Sequence, residues 1–235
     1  MSNSIAIMQP YVFPYIGYFQ LVHAVDVFVF YDDVNFIKRG WINRNRLWVN
    51  EQEYLFSVPL QGASQNKLIH EIPLAWDDKW KVQFLQTVTE QYRKAPCFET
   101  VFPMLQNLLE KSYDSIAQLA MASVREIAAY LGLQTLFEIS SEKYAASKGM
   151  ERADRLIVIA KESGCKQYIN PMGGKDLYEK AYFSANGITL KFMKNSLLPY
   201  QRFDKKSEVG LSIIDVLMFN KVEKVITLLE EYSLE

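Results

Sequence analysis

The chain has 235 residues, of which 49% are hydrophobic and 23% charged, and its formal net charge is −1. This composition is typical of a globular domain and gives no general reason to expect a nucleic-acid partner. No apolar run reaches the roughly 20 residues of a membrane span and no signal peptide precedes the first apolar run, so we expect a soluble, cytoplasmic protein. The cysteines and histidines lack the spacing of metal ligands, and we predict no metal site built from them.

Strands are predicted where β-branched and aromatic residues form short runs bounded by Gly, Pro or Asn, and helices where apolar residues recur at helical spacing. The predicted strands cover 4–9, 26–32, 47–58, 67–72, 134–139, 166–169 and 188–193. The predicted helices cover 15–24, 77–94, 101–111, 114–131, 151–163, 175–186, 211–219 and 221–231. In the second half of the chain a helix, a glycine and a short strand follow one another repeatedly, which is typical of a parallel sheet flanked by helices.

We therefore predict a single α/β domain over residues 1–235, with a mainly parallel, Rossmann-like sheet flanked by helices. The runs SIAI and DVFVF should be adjacent parallel strands joined by the helix at 15–24. Residues 35–131 combine short antiparallel strands with helices. We interpret them as an insertion that covers one side of a cleft, because no Gly/Ser-rich linker or charge run separates them from the rest.

The loop MQPYVFPYIGYFQ, residues 8–20, follows the first predicted strand and holds two prolines, three tyrosines and one glycine. Ligands of open parallel sheets bind at the carboxyl ends of the strands, where this loop lies. We predict that it binds a substrate or nucleotide through Gln9, Tyr15, Gly17 and Tyr18. The order Tyr15-Ile16-Gly17-Tyr18 resembles the HxGH motif of the nucleotidylyltransferase superfamily, with tyrosine in place of both histidines. Tyrosine retains hydrogen bonding but supplies no positive charge near neutral pH.

The segment YDDVNFIKRGWINRNRL begins where the second predicted strand ends. The adjacent carboxylates of Asp32 and Asp33 can hold Mg²⁺, accept sugar hydroxyls or act as a base, and Arg44 can bind phosphate through two donors. These three residues are the predicted catalytic residues. The predicted binding residues of this segment are Lys38, Asn43 and Arg46. ATP and Mg²⁺ are the candidate cofactors, and the alternative reading of the segment is a solvated hairpin with paired charges.

Two later segments are expected at the same edge of the sheet. In NPMGGK, Gly173 and Gly174 would offer backbone N–H groups to an anion at a helix start, although a plain strand-to-helix turn fits the same residues. Tyr200 and Arg202, in PYQRF, follow the last predicted strand and would close over a ligand. We predict a single cleft lined by Tyr15, Tyr18, Asp32, Asp33, Lys38, Arg44, Gly173, Gly174 and Arg202.

Four blocks of the sequence together resemble the WbqC-like family over nearly the whole chain. The blocks are QPYVFPYIGYFQLVHAVDVFVFYDDVNFIKRGWINRNR, YINPMGGKDLY, PYQRF and LSIIDVLMFN. The resemblance implies a protein encoded in bacterial gene clusters for O-antigen and other surface polysaccharides. It carries over no assignment of catalytic residues.

Three functions are compatible with these patterns. Two carboxylates beside several cations favour an enzyme, either a transferase or an amide-forming ligase acting on a nucleotide-linked amino sugar. The ligase would adenylate a carboxylate with ATP before an amine displaces AMP, as the likeness to nucleotidylyltransferases implies. A non-catalytic nucleotide-sugar-binding component of a polysaccharide-assembly complex is the second function. An RNA-binding module is the third, although the chain lacks overall basicity and any standard RNA motif. The sequence leaves the oligomeric state open.

Overall fold

The computed structural model describes residues 3–203 and 205–235. The strands are β1 (Ser4–Met8), β2 (Val27–Phe30), β3 (Arg44–Val49), β4 (Gln52–Ser57), β5 (Leu136–Ile139), β6 (Gln167–Pro171), β7 (Thr189–Asn195), β8 (Gln201–Arg202), β9 (Lys205–Lys206) and β10 (Tyr232–Leu234). The α-helices are α1 (Ile16–His23), α2 (Asp78–Tyr92), α3 (Phe98–Glu110), α4 (Ile116–Tyr130), α5 (Ser140–Lys143), α6 (Arg152–Glu162), α7 (Lys180–Ala185), α8 (Ile213–Phe219) and α9 (Val222–Leu229). Short 3₁₀ turns cover Ile69–Glu71, Ala145–Ser147 and Met172–Leu177.

The central sheet has six strands in the order β10-β7-β6-β1-β2-β5. All neighbouring pairs are parallel except β10 and β7. The predicted mainly parallel α/β fold is therefore confirmed, as is the prediction that SIAI and DVFVF form adjacent parallel strands, with Ile5 opposite Val27. The carboxyl ends of β1, β2, β5, β6 and β7 all lie at one edge of the sheet, which we call the rim.

Successive side chains of β1 and β2 point to opposite faces of the sheet, and the core therefore has two layers. Ile5 and Val27 point to one face, where they pack with residues of α6 and α7. Ala6 and Phe28 point to the other face and belong to a larger cluster with residues of α1 to α4, α8 and α9. Because successive strand side chains point to opposite faces, strands that are apolar at every position must be covered on both sides. The sheet is accordingly enclosed by helices.

Two predicted strands differ from the structure. Residues 47–58 lie in an antiparallel hairpin of β3 and β4, which turns at Asn50 and Glu51. Both turn residues have positive φ angles, 49° and 61°, which suits a tight hairpin turn but lacks the glycine by which such turns are usually recognised in a sequence. Residues 67–72 form no strand and contain the 3₁₀ turn Ile69–Glu71, whose backbone bonds to the segment after β2.

The predicted helix at 175–186 is divided in the structure. The 3₁₀ turn Met172–Leu177 comes first and α7 follows after a break at Tyr178 and Glu179. Strand β10 was not predicted, because its three residues come only two residues after α9 and carry no strand-like run of their own. Residues 35–131 connect β2 to β5 through the β3–β4 hairpin and helices α2 to α4. Their role as a cover for a cleft stays a prediction.

Buried tyrosines make the fold sensitive to alkali. The pKa values of Tyr18, Tyr92, Tyr168 and Tyr200 are raised well above the ordinary 10.0, mainly because burial disfavours the phenolate. Above about pH 10 the unfolded chain therefore loses protons that the folded protein keeps, so the free energy of unfolding must fall with rising pH, by up to about 1.4 kcal/mol per pH unit for each tyrosine.

Urea unfolding at several pH values checks this expectation. We expect Tyr168→Phe to lower the free energy of unfolding at pH 8 by about 1 kcal/mol, since its hydroxyl donates a hydrogen bond to Asn170, and to reduce the slope above pH 10. A free energy of unfolding that stays constant between pH 9 and 11 in the wild-type protein would contradict the explanation.

Candidate functional site

The loop after β1 is fixed by hydrogen bonds from distant parts of the chain. The backbone N–H of Phe13 donates to Ser123 Oγ at 3.1 Å, and the carbonyl oxygen of Phe13 accepts from Asn45 Nδ2 and Ser212 Oγ, each at 2.8 Å. Phe13 has a positive φ of 43°, an unusual conformation for a residue with a side chain, and its ring is fully buried. The bonds on both sides of Phe13 hold this conformation, so the loop is a preformed wall at the rim.

The tyrosines of this loop pack against one another at the start of α1. The ring of Tyr15 lies directly over Gly17, where a Cβ atom would come within 2.3 Å of the ring carbon Cε2. Because Gly17 has no side chain, the Tyr15 ring can lie against its backbone. Tyr18 donates from its hydroxyl to the carbonyl oxygen of Gln9 at 2.9 Å, and its ring centroid is 5.6 Å from that of Tyr11.

These tyrosines line a cavity of about 520 Å³ at the carboxyl ends of β1 and β6. Its wall is mostly aromatic and apolar and includes Met8, Tyr11, Pro14, Tyr15, Gly17, Tyr18, Leu21, Trp41, Asn45, Arg46, Pro171, Leu197, Val209 and Gly210. A second cavity of about 290 Å³ shares Met8, Tyr11 and Pro171 with the first. It adds Ile7, Gln9, Tyr31, Leu156, Tyr168, Asn170, Gly173, Gly174, Leu177 and Tyr178. We call the two adjoining cavities the rim cleft, and distinguish them as the Tyr15 cavity and the Asn170 cavity.

Arg46 is the cation in the lining of the rim cleft. Its Nη1 donates to both carboxylate oxygens of Glu53, at 2.9 and 3.0 Å, and its Nη2 donates to the carbonyl oxygen of Gly210 at 3.1 Å. The guanidinium also lies 5.3 Å from the centroid of the Trp41 ring. The buried Nε of Arg46 has no hydrogen-bond partner.

The hydroxyl groups of the rim cleft are neutral donors over a wide pH range. Burial raises the pKa of Tyr11 and of Tyr15 above the ordinary value, and raises that of Tyr18 well above it. Tyr31 and Tyr178, in the Asn170 cavity, also have raised pKa values with burial as the main cause. The cleft therefore presents protonated phenols together with one guanidinium.

Two other predicted cations, Lys38 and Arg44, line a third cavity of about 330 Å³ on β3 and the segment before it. We call it the basic cavity. It is lined by Phe36, Lys38, Arg39, Asn43, Arg44, Ser57, Leu60 and Ala63. Arg44 donates from Nε to the carbonyl oxygen of Gly40 at 2.8 Å, and its guanidinium lies 5.7 Å from the Trp41 centroid. Trp41 thus contacts a guanidinium from each cavity, Arg46 in the rim cleft and Arg44 in this basic cavity.

Asp32 and Asp33 are 2% and 4% exposed and belong to a buried polar network. Asp32 accepts from the Ser141 backbone N–H at 3.0 Å and from the Ser141 hydroxyl at 2.6 Å. Asp33 is paired with Arg155, with 2.5 Å between Oδ2 and Nη2, and the Ser140 hydroxyl lies within hydrogen-bonding distance of both carboxylates. Neither carboxylate lines the rim cleft. A catalytic role for the two aspartates stays a prediction.

Tyr200 and Arg202 surround a second buried carboxylate, that of Asp215. Tyr200 and Tyr92 both donate hydrogen bonds to it, the latter at 2.7 Å. Arg202 Nε lies 3.1 Å from Asp215 Oδ1, as an ion pair whose geometry leaves Nε without a hydrogen bond. Burial raises the pKa of Asp215, while Arg202 and the two tyrosines act in the opposite direction. The cluster ties the β8–β9 segment to α2 and α8.

The structure thus distributes the predicted site residues over several places. The rim cleft contains Gln9, Tyr15, Gly17, Tyr18, Arg46, Gly173 and Gly174; the basic cavity contains Lys38, Asn43 and Arg44; the two buried clusters contain Asp32, Asp33, Tyr200 and Arg202. The sequence analysis did not select Tyr11, Asn45 or Asn170 as site residues. Tyr11 lies in the loop MQPYVFPYIGYFQ, Asn45 in YDDVNFIKRGWINRNRL and Asn170 in NPMGGK. In residues 3–203 and 205–235, no group of three or more His, Cys, Asp or Glu side chains could hold a metal ion.

The fold and the cleft define an α/β protein with an aromatic cleft at the carboxyl edge of its sheet. A family model described as the WbqC-like protein family matches residues 9–227, so the chain belongs to that family. The likeness to nucleotidylyltransferases stays a prediction. The chain is similar to the uncharacterized protein Rv1507c of Mycobacterium tuberculosis (strain ATCC 25618 / H37Rv), with 26% identity over 221 residues that cover 93% of this chain and 94% of that protein. No solved structure matches. Of the helices that the structure describes, none is long and apolar enough to cross a membrane.

The buried pair of Asp33 and Arg155 should be important for stability. Replacing Arg155 by Met leaves the Asp33 carboxylate buried without its partner, and we expect the free energy of unfolding to fall by about 3–5 kcal/mol. Lys111→Met is the matched control, because Lys111 pairs with Glu126 at 2.5 Å in an exposed position and its loss should cost about 1 kcal/mol or less. The free energy of unfolding of both variants is measured by urea unfolding. If both variants lose the same free energy, burial of the Asp33–Arg155 pair does not increase its contribution to stability.

Proposed function

We propose that this protein binds a nucleotide-linked amino sugar in the rim cleft and transfers an acyl or aminoacyl group to the sugar amine, in the biosynthesis of a bacterial surface polysaccharide. The polysaccharide role is what the WbqC-like family implies. The observation that supports the proposal best is the lining of the cleft, which combines aromatic walls, several neutral hydrogen-bond donors and one guanidinium at the ligand-binding edge of a parallel sheet.

The two cavities suit the two ends of such a ligand. In the Tyr15 cavity, Tyr15 and Trp41 provide rings on which a base can stack, and Arg46 provides a guanidinium for a phosphate oxygen. The described residues that line the Asn170 cavity include no charged side chain and offer tyrosine hydroxyls and amides, which are suitable partners for sugar hydroxyls. A nucleotide-linked sugar needs both kinds of surroundings in contact, and the cavities adjoin at Tyr11.

The cleft lining also bears on the chemistry. No carboxylate, histidine, lysine or cysteine is among its described residues. A transferase that uses an already activated acyl donor needs fewer catalytic groups in its site than a ligase that must first adenylate a carboxylate. The sugar amine attacks the acyl carbonyl carbon, the new C–N bond forms as the bond to the donor's leaving group breaks, and the amine proton leaves to the leaving group or to water. Tyrosine hydroxyls would stabilise the developing oxyanion by donating hydrogen bonds.

The same lining favours one alternative, a non-catalytic component that presents a nucleotide sugar to a partner enzyme. Binding requires hydrogen bonds and stacking alone, which the tyrosines, Trp41 and Arg46 supply, whereas catalysis by general acid and base would use a group that titrates near neutral pH. The raised pKa values of Tyr11 and Tyr15 keep both phenols protonated at that pH.

Binding is tested by calorimetry with nucleotide sugars and, for comparison, single-stranded oligonucleotides. We expect Arg46→Gln to weaken nucleotide-sugar binding by about 1–3 kcal/mol, since a charge-assisted hydrogen bond to phosphate is lost. Arg44→Gln is the matched control, because Arg44 contacts the same Trp41 ring from the basic cavity and should leave the affinity nearly unchanged. A loss with Arg44→Gln alone would move the phosphate to the basic cavity, and binding of oligonucleotides only would overturn the proposal.

The reaction is tested with a nucleotide-linked amino sugar and two kinds of donor. We expect an acylated sugar to form with an activated acyl thioester and no AMP to form with ATP, Mg²⁺ and free carboxylates, because the cleft supplies a single cation for an adenylyl-transfer transition state. Release of AMP that depends on the carboxylate would establish the ligase instead. Tight binding of the sugar with no product from either donor would support the non-catalytic alternative.

A further inference from the structure

The side chain of Asn170 carries a buried donor that the protein itself does not use. Asn170 is 6% exposed and lies at the carboxyl end of β6, in the lining of the Asn170 cavity. Its Oδ1 accepts a hydrogen bond from the Tyr168 hydroxyl at 3.2 Å, which leaves Nδ2 with no partner. A buried amide N–H without a partner costs stability and is therefore rare in folded proteins.

The surroundings of this donor define the chemistry of its partner. The polar side chains lining the Asn170 cavity are Gln9, Tyr11, Tyr31, Tyr168, Asn170 and Tyr178, none of which carries a charge at neutral pH. Among the described residues of this lining, a phosphate would find no cation. An uncharged oxygen, such as a sugar hydroxyl or the carbonyl of an N-acyl group, can accept from Nδ2 without leaving a charge buried.

Gly174 covers the donor. A Cβ atom on Gly174 would come within 1.9 Å of Asn170 Nδ2, so the glycine lets the backbone lie directly against the amide. Gly174 belongs to the 3₁₀ turn Met172–Leu177, in which no residue is buried. A small displacement of this turn therefore costs little apolar contact and opens Nδ2 to a ligand in the cavity. This role for Gly174 differs from the anion binding expected from the sequence.

We propose that the Asn170 cavity is the subsite for the sugar, and that Asn170 is a specificity-determining residue whose Nδ2 donates to an oxygen of the sugar ring or of its N-acyl group. The inference rests on the proposed function for the identity of the ligand, since it assumes that a sugar enters the rim cleft. It goes further in assigning the uncharged end of the ligand to one cavity and one donor.

The experiment compares a nucleotide sugar with the corresponding nucleotide. Calorimetric titrations use UDP-N-acetylglucosamine, UDP-glucosamine and UDP, together with the corresponding thymidine and guanosine diphosphates and their sugar conjugates. We expect Asn170→Asp, which keeps the size and the acceptor for Tyr168 but replaces the donor by a carboxylate oxygen, to weaken binding of the sugar conjugates by about tenfold or more while changing the affinity for the nucleoside diphosphate less than twofold. Asn186→Asp, on the exposed end of α7, is the matched amide-to-acid control and should behave as wild type.

Two further measurements keep the outcome clear if Asn170→Asp folds poorly. Asn170→Leu, which keeps the size of the side chain but removes the donor without adding a charge, should give the same selective loss. In the wild-type protein, free N-acetylglucosamine should shift the NMR signal of the Asn170 side-chain amide. Conjugates and nucleotides that lose affinity equally in the variants would overturn the sugar subsite while leaving the proposed function intact. If no nucleotide sugar binds but the free sugar still shifts the amide, the proposed function fails and the subsite survives; if neither is observed, both fail.

Discussion

The carbonyl oxygen of Phe13 accepts hydrogen bonds from Asn45 on β3 and from Ser212 at the start of α8. Through this one atom, the loop after β1, the β3–β4 hairpin and the C-terminal helices are held together at the rim. The left-handed backbone of Phe13 would be unfavourable without these partners and the bond from its N–H to Ser123. The positions of Tyr11, Tyr15 and Tyr18 follow from it, because each lies within a few residues of the anchored peptide.

Most charged side chains of the predicted site lie outside the rim cleft. The carboxylates of Asp32, Asp33 and Asp215 are buried next to arginine, serine or tyrosine partners, where they join elements far apart in the chain. Two of the four predicted cations, Lys38 and Arg44, line the basic cavity. The described lining of the rim cleft is aromatic, apolar and neutral apart from Arg46, and such a surface recognises shape and hydrogen-bond pattern more than net charge.

The proposed function and the sugar subsite follow from this separation. A site with strong charges would select phosphates wherever they occurred, whereas the rim cleft offers one cation near Trp41 and uncharged donors elsewhere. The ligand is then expected to bind in one orientation, with its phosphate near Arg46 and its sugar near Asn170. The chain belongs to the WbqC-like family, and its similarity to Rv1507c extends over almost the full length of both chains.

The sequence by itself determined the parallel α/β sheet and the position of the Tyr15–Tyr18 segment at its edge, because apolar runs, proline and glycine act locally. It could not separate Arg44 from Arg46, which are two residues apart on one strand and face different cavities. It also could not predict that Asp32 and Asp33 are enclosed, because their partners Ser140, Ser141 and Arg155 are more than 100 residues away in the chain. Hydrogen bonds between distant segments decide which polar side chains are buried and which reach a ligand, and only the tertiary structure contains them.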